Sequence, residues 1–344
     1  MTVTLKDIAK DLGVSVITVS KALRDHSDIS VETKARVMKR VKELNYQPNL
    51  SARALVTGRT NLLGFIVPDL LHTFFSEIVR GLSGALRNSG YTLVVTSSEQ
   101  DPKIERQAIE QLIARRVDLL LVASTQWTVE MFEKVEKTGI PYILIDRKFS
   151  EHATHFVGVN DEEVGAMATQ HLIDIGCKTI AHIGGAGLSP VVGRLEGYKR
   201  TLTKLGMPVD PQLIVSTGRV EELGDEAGYQ ATKKLLQMTP RPDGIFCYND
   251  PIGFGAIAAI LDAGLRVPED VAVVGCGNIF YDKFLRVPLT SVDQQSMEIG
   301  QKAAKFAIQL LDVPKPIPPR SLLLEPKLVI RQSTMKNRTR WAAS

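Results

Sequence analysis

The sequence predicts an α/β protein in which an N-terminal helix-turn-helix precedes two doubly wound α/β lobes. Three observations predict it. From Asn61 onward, apolar runs of strand length alternate with amphipathic helices, and the rhythm restarts near Phe156. Ahead of that stretch lie three short segments with helix caps and helical apolar spacing. Charge is uneven as well: of 42 Lys/Arg and 38 Asp/Glu, the first 60 residues hold 11 and 6, and the remainder 31 and 32. The whole positive excess therefore sits with the short helices, which points to a polyanionic partner.

The first helix starts at Thr4, whose hydroxyl caps free N–H groups while Asp7 completes a capping box. Leu5, Ile8, Ala9 and Leu12 form one apolar face, and Gly13 ends the helix. A second helix restarts at the Ser15 cap, with Val19, Ala22 and Leu23 inward beside a buried Val14. Two helices joined by so tight a turn read as a helix-turn-helix, whose second helix enters the major groove N-terminus first. Val16 and Ile17 occupy that tip and suit a thymine methyl, while Lys21 can donate to a guanine edge. Ser15, Thr18 and Ser20 are short hydroxyl donors for phosphate oxygens. A third helix runs from the Ser30 cap, with Thr33 in its first turn, through an apolar series of Val31, Ala35, Met38, Val41 and Leu44. Its cations Lys34, Arg36, Lys39, Arg40 and Lys42 read equally well as a solvated face.

Beyond Asn61 the expected order is a strand over Leu62–Val67, a helix over Phe75–Asn88 and a strand over Tyr91–Ser97. A helix over Ile104–Arg115, a strand over Leu119–Ala123, a helix over Val129–Thr138 and a strand over Tyr142–Ile145 follow. The second lobe repeats the pattern with strands at Ile180–Ile183, Ile245–Cys247 and Val271–Val274. Its helices are expected over Val164–Ile175 and near Arg194–Leu205, Glu226–Gln237 and Gly253–Ala263. Strands that are apolar throughout, set between helices, belong to parallel sheets covered on both faces. Ligands in such sheets collect at the carboxyl ends of the strands, so two facing lobes would share a cleft.

The run Val3-Thr4-Leu5-Lys6-Asp7-Ile8-Ala9 through Gly13-Val14-Ser15 to Ala22-Leu23 resembles the N-terminal signature of the lactose-repressor/galactose-repressor family of bacterial transcription regulators. Tyr46-Gln47-Pro48-Asn49 followed by Ser51-Ala52-Arg53-Ala54-Leu55 is similar to that family's hinge helix. The resemblance extends through Ile140-Pro141-Tyr142-Ile143-Leu144-Ile145-Asp146-Arg147, Arg194-Leu195-Glu196-Gly197-Tyr198, Tyr248-Asn249-Asp250 and Pro288-Leu289-Thr290-Ser291-Val292, from Val3 to about Ser333. It implies a periplasmic-binding-protein-like core and a homodimer, with higher assembly open, on double-stranded DNA with a palindromic operator. In that arrangement paired hinge helices bring Ala52 and Leu55 into the minor groove, where Leu55 wedges a base step; Tyr46 and Asn49 join the DNA contacts. An isolated helix as short as the hinge is marginal in water, so ordering on DNA is physically reasonable. The implied domains are a reader over 1–47, a hinge over 48–60 and an effector unit over 61–344. Within the last, one lobe takes 61–160 and 293–325 and the other 161–292 and 326–335.

The matching motifs carry five candidate effector contacts: Phe74 and Phe75 as an aromatic floor, Asp146 at a strand end, Arg194, and Asn249. Such groups can bind hydroxyls or an anion by directed hydrogen bonds. Asp146 and Asn249 could equally cap the next turn or helix, Arg194 could be a surface cation and the phenylalanines plain core. One departure bears on the ligand: where the family has Gly-Tyr-Asp at a strand end, this chain has Gly275-Cys276-Gly277. Another is Gly187-Leu188-Ser189-Pro190-Val191-Val192, which lacks most of the polar contacts that precede the family's arginine. A carbohydrate, a more apolar ligand, an anionic metabolite held by Arg194, or loss of small-molecule control are all open on these residues.

No catalytic constellation appears. Gly185 and Gly187 precede Pro190 where a dinucleotide fingerprint needs a third glycine, and there is no P-loop, zinc-protease or nucleophile-elbow motif. His171 and His182 have no partner residues nearby in sequence and read as structural. Cys177, Cys247 and Cys276 have neither metal-ligand nor redox spacing and read as small buried residues; neither a metal nor a cofactor is expected. A transport protein of the same cleft fold is the alternative class, disfavoured by the basic helix-turn-helix. The chain reads as cytoplasmic and without membrane contact, since no apolar run is of spanning length and the start lacks a signal peptide's apolar core. Lys336 to Trp341 reads as a loose basic tail.

Overall fold

The structure is a computed structural model describing residues 3–47, 54, 57–185, 187–218, 224–313 and 317–335. The chain divides into two compact units, Met1–Thr60 and Asn61–Ser344. Asn49, Ala52, Leu55 and the tail from Lys336 lie outside the described residues.

The first unit packs α1 (Leu5–Leu12), α2 (Val16–Leu23) and α3 (Val31–Glu43). Thr4 and Asp7 form the reciprocal capping box, and Gly13 takes the left-handed conformation that closes α1. Ile8, Ala9, Val19, Ala22 and Val37 are its buried core, with Val14 only partly buried. The third helix corrects the sequence reading. Val31 is 84% and Met38 52% exposed, and Ala35 is exposed too. The inward stripe is Val37 with Val41 and Leu44; the last two were in the expected series, and Val37 takes the place of Val31, Ala35 and Met38.

The second unit contains two six-stranded sheets. The first is ordered β11-β5-β4-β3-β1-β2 and the second β12-β10-β9-β8-β6-β7. In the first, β1 (Leu62–Val67), β2 (Thr92–Ser97), β3 (Leu119–Val122), β4 (Tyr142–Ile145), β5 (His155–Val159) and β11 (Ser321–Leu324) are all parallel. The second comprises β6 (Ile180–Gly184), β7 (Ile214–Ser216), β8 (Gly244–Cys247), β9 (Ala272–Cys276), β10 (Thr290–Asp293) and β12 (Lys327–Val329). Only β12 runs antiparallel there, against β10. The strand at Phe156, where the sequence rhythm restarts, pairs with β4 and so completes the first sheet rather than opening the second.

The connecting helices are α4 (Thr73–Leu86), α5 (Pro102–Ala114) and α6 (Glu130–Glu136) on the first lobe. On the second they are α7 (Asp161–Asp174), α8 (Ser189–Lys204), α9 (Gly224–Leu235) and α10 (Asp250–Asp262). The chain changes sheet after Val159, after Asp293 and between Leu324 and Lys327. After the second change, α11 (Ser296–Asp312) returns to the first lobe, where Ser296 bonds Glu77 of α4. In each sheet the strand order reverses beside β1 or β6, the strand next to the edge, which opens a crevice at the strands' carboxyl ends.

Candidate DNA-reading helix and effector cavity

Two of the reader's hydroxyl residues cap its second and third helices. Ser15 caps α2, accepting from Thr18 N at 3.0 Å, and Ser30 caps α3, accepting from Thr33 N at 3.2 Å. Val16 and Ile17 follow the Ser15 cap directly, and Ile17 is 67% exposed. Ser20 accepts from Arg24 Nη2 at 3.1 Å, and Lys21 is paired with Asp28. Tyr46 packs partly buried against the three-helix core. Several third-helix cations staple the bundle: Lys34 binds Asp25 at 2.6 Å, Arg40 binds Asp11 at 2.6 Å, and Arg36 donates to the Leu12 carbonyl at 3.2 Å.

In the second unit Phe74, Phe75, Asp146, Arg194 and Asn249 all line one cavity. Strand ends bring them together: the phenylalanines open α4 behind β1, Asp146 follows β4 and Asn249 follows β8. Phe74 and Phe75 meet edge to face at 5.1 Å, the geometry favoured by ring quadrupoles. His72, Tyr248, Cys276, Gly277 and Gln294 complete the wall, and of these the sequence points only to Gly277 as bearing on the ligand. Tyr248, Cys276 and Gln294 each end or directly follow a strand, the signal that could have found them.

Several polar groups at the cavity are engaged within the protein. Arg194 is 3% exposed; its Nε donates to Asp161 at 3.0 Å and its Nη1 to the Tyr248 carbonyl at 2.7 Å. Its guanidinium carbon lies 4.5 Å from the Tyr248 ring centroid, in cation–π range. Burial pushes the Asp161 carboxyl up and Arg194 pulls it back. Asn249 caps α10, accepting from Ile252 N at 3.0 Å. Gln294 Nε2 donates to Asp146 at 3.1 Å, and its Oε1 accepts from Cys276 Sγ at 3.4 Å.

Gly275 and Gly277 have a physical reason. A Cβ at Gly275 would lie 2.2 Å from Asp250 Oδ1, and one at Gly277 2.9 Å from Asp250 Oδ2. Asp250 is fully buried, accepting from Ser291 Oγ at 2.6 Å and from Ile279 N at 3.1 Å. Burial holds its carboxyl up at about 6 despite those bonds. Asp282 beside it is pushed to about 10 by burial and by the Asp250 charge, with Arg331 3.6 Å away. A side chain at 277 would therefore press on a buried acid cluster.

The two histidines read as structural are engaged too. His171 Nε2 meets Thr334 Oγ1 at 2.8 Å, and His182 Nδ1 the Phe246 carbonyl at 3.0 Å. All three cysteines are buried and unbridged. No group of three potential metal-ligating side chains occurs among the described residues, nor any helix long and apolar enough to cross a membrane.

Residues 4–49 match the model for bacterial regulatory proteins of the lacI family, and residues 169–334 that for a periplasmic binding protein-like domain. The chain is 31% identical over 334 residues to the HTH-type transcriptional repressor PurR of Actinobacillus pleuropneumoniae serotype 3 (strain JL03), covering 96% of this chain and 98% of that one. It is 30% identical over 339 residues to catabolite control protein A of Priestia megaterium, covering 97% and 100%. Among solved structures, the lac repressor dimer bound to operator and the anti-inducer ONPF superposes with a TM-score of 0.85 at 26% identity, covering 98% and 100%. A cellobiose complex of the transcriptional regulator CelR gives 0.73 at 28% identity, covering 96% and 99%.

Proposed function

Because the chain belongs to the lacI family of bacterial regulatory proteins, and so is a DNA-binding transcription regulator under small-molecule control rather than an enzyme, we propose how its parts divide that work. Residues 1–47 read the operator, 48–60 form the hinge, and 61–344 bind the effector and pair with a second copy in the cytoplasm. The homodimer represses from a palindromic operator. Val16 and Ile17 meet thymine methyls and Lys21 a guanine edge, while Ser15, Thr18, Ser20, Thr4, Ser30, Thr33, Tyr46 and Asn49 hold backbone. Ala52 and Leu55 enter the minor groove.

The observation that carries the DNA reading is Ile17, a large apolar side chain two-thirds exposed at the N-terminal tip of the second helix of a helix-turn-helix. Pairing of copies is supported by Phe280, Tyr281 and Phe284, all more than half exposed on one short 3-10 turn. The effector is an uncharged molecule. Arg194 and Asp161 neutralise each other, and Arg147 Nε lies 4.0 Å from Asp146, so a charged ligand would lose its hydration without gaining a counter-charge. Effector binding shifts the lobe angle and through it operator affinity, a coupling of ~1–3 kcal/mol.

Selection of bound sites from random duplex DNA, with and without a mixed metabolite pool, tests this reading. A palindrome whose occupancy changes with a neutral fraction of the pool is expected. Recovery of no consensus would overturn the DNA assignment; a response confined to anionic fractions would overturn the effector chemistry.

A further inference from the structure

Trp127 stands on the loop after β3 of the first lobe, and Gly187 on the loop after β6 of the second. A Cβ at Gly187 would lie 1.6 Å from Trp127 Cζ3 and within 2.6 Å of Cε3 and Cη2. The indole therefore rests directly on the glycine backbone across the cleft, in space that any other residue would fill. Gly187 also has a φ of +82°, which disfavours an L side chain there.

The loop carrying Trp127 is fastened from beneath. Glu105 of α5 is fully buried, and its carboxylate accepts from Ser124 Oγ at 2.7 Å and from Thr125 N and Oγ1 at 2.5 and 2.7 Å. Gln126 Nε2 adds a bond to the Pro102 carbonyl at 2.7 Å. Burying a carboxylate is costly unless it is hydrogen-bonded, and the groups that satisfy this one form the base of the Trp127 loop. The indole itself is 56% exposed, with one side on the facing lobe. The lips touch once more, where Lys148 N donates to Ser189 Oγ at 2.9 Å.

We propose that Trp127, held by Glu105 and seated on Gly187, is the closing contact of the cleft and sets the lobe angle on which operator affinity depends. The second half of this statement rests on the regulatory reading above; the first does not. With the lobes apart, the indole loses its seat and the face it rests on Gly187 meets water, so the contact favours the closed arrangement. Trp127 is a positioning residue: it acts through the lobe angle, and the cavity wall is built without it.

The test uses the full chain with the second tryptophan removed by Trp341→Phe, leaving Trp127 as the sole indole emitter. Acrylamide quenching reports the seat, and affinity for a duplex recovered by selection reports the coupling. Gly187→Ala is expected to raise the quenching constant about twofold. Gly187→Ala and Trp127→Ala should each shift operator affinity by about 5-fold or more in the same direction, and the double variant by no more than either alone. Unchanged quenching in Gly187→Ala, or additive effects on operator affinity, would overturn the contact. If Gly187→Ala does not fold, Glu105→Gln should raise quenching by freeing the loop, and unchanged quenching there overturns the proposal equally. Failure to recover any duplex would sink the regulatory reading while the quenching result still judges the contact.

Discussion

The two lobes share one strand order yet present different chemistry to the same cleft. The first offers an edge-to-face phenylalanine pair and Asp146. The second offers a guanidinium neutralised by its own aspartate and a glycine floor laid over a buried acid cluster. Topology alone fixed where a ligand can sit, because both sheets open their crevices at strand ends. The residues fixed what it can be. A lobe whose charges are paired internally contributes shape and neutral hydrogen bonds, and it becomes sensitive to loss of either partner of each pair.

Arg194→Ala should break the contrast most severely. It leaves Asp161 buried without its partner, and a loss of about 3–5 kcal/mol in urea unfolding is expected. A loss below about 1 kcal/mol would mean that water reaches the pair. Asp161→Asn added to Arg194→Ala should recover part of it.

The lobes should also differ toward acid. Where β1 carries Phe65 in its core, β6 carries His182, fully buried and stacked near Tyr198 and Phe246. Burial pushes this imidazole down from 6.5 to about 4. The unfolded chain then takes up the proton first, so the stability contributed by neutral His182 is complete above pH 6.5 and drains away as pH falls toward 4. Relative to His182→Leu, the parent should lose about 3 kcal/mol between pH 7 and pH 4 in denaturant titrations. Comparing the two chains cancels Asp250 and Asp282, whose raised values act in the opposite sense, weakening the fold as pH rises. A difference that stays constant with pH would place the proton elsewhere.

Gly277→Asp, which supplies the carboxyl that the family resemblance leads one to expect at this strand end, should destabilise by about 2 kcal/mol or more, through a strained backbone and a third carboxyl at the acid cluster. Neutral or improved melting would show that the cluster can move aside. The smallest effect is expected at the lips: Ser189→Ala removes one exposed hydrogen bond and should cost about 1 kcal/mol or less.

Much of this was legible beforehand, and the misses have causes. The capped reader helices depend on residues three apart, so Thr4 with Asp7 and Ser15 with Thr18 could be read directly. On the third helix both Val31-Ala35-Met38 and Val37 lead into Val41 and Leu44 at helical spacing, and only docking against the other two helices selects Val37. Asp146 and Asn249 followed strands that were recognised. Gln294 follows β10, a short strand whose Thr290 and Ser291 are polar though buried, and it went unread. Arg194 was found as a cavity residue, but its Asp161 partner lies 33 positions away and no local pattern links them.

The sequence by itself determined the helix-turn-helix, the alternation that yields two parallel sheets, and the strand ends where a cavity must form. Those features are written in periodicities and caps that span one turn or one strand. Tertiary structure alone decided which charges are cancelled, why position 277 is glycine, and that Trp127 meets Gly187. Each of these pairs residues whose separation is spanned by crossovers, and a crossover sets neighbours in space without leaving a repeat in the chain.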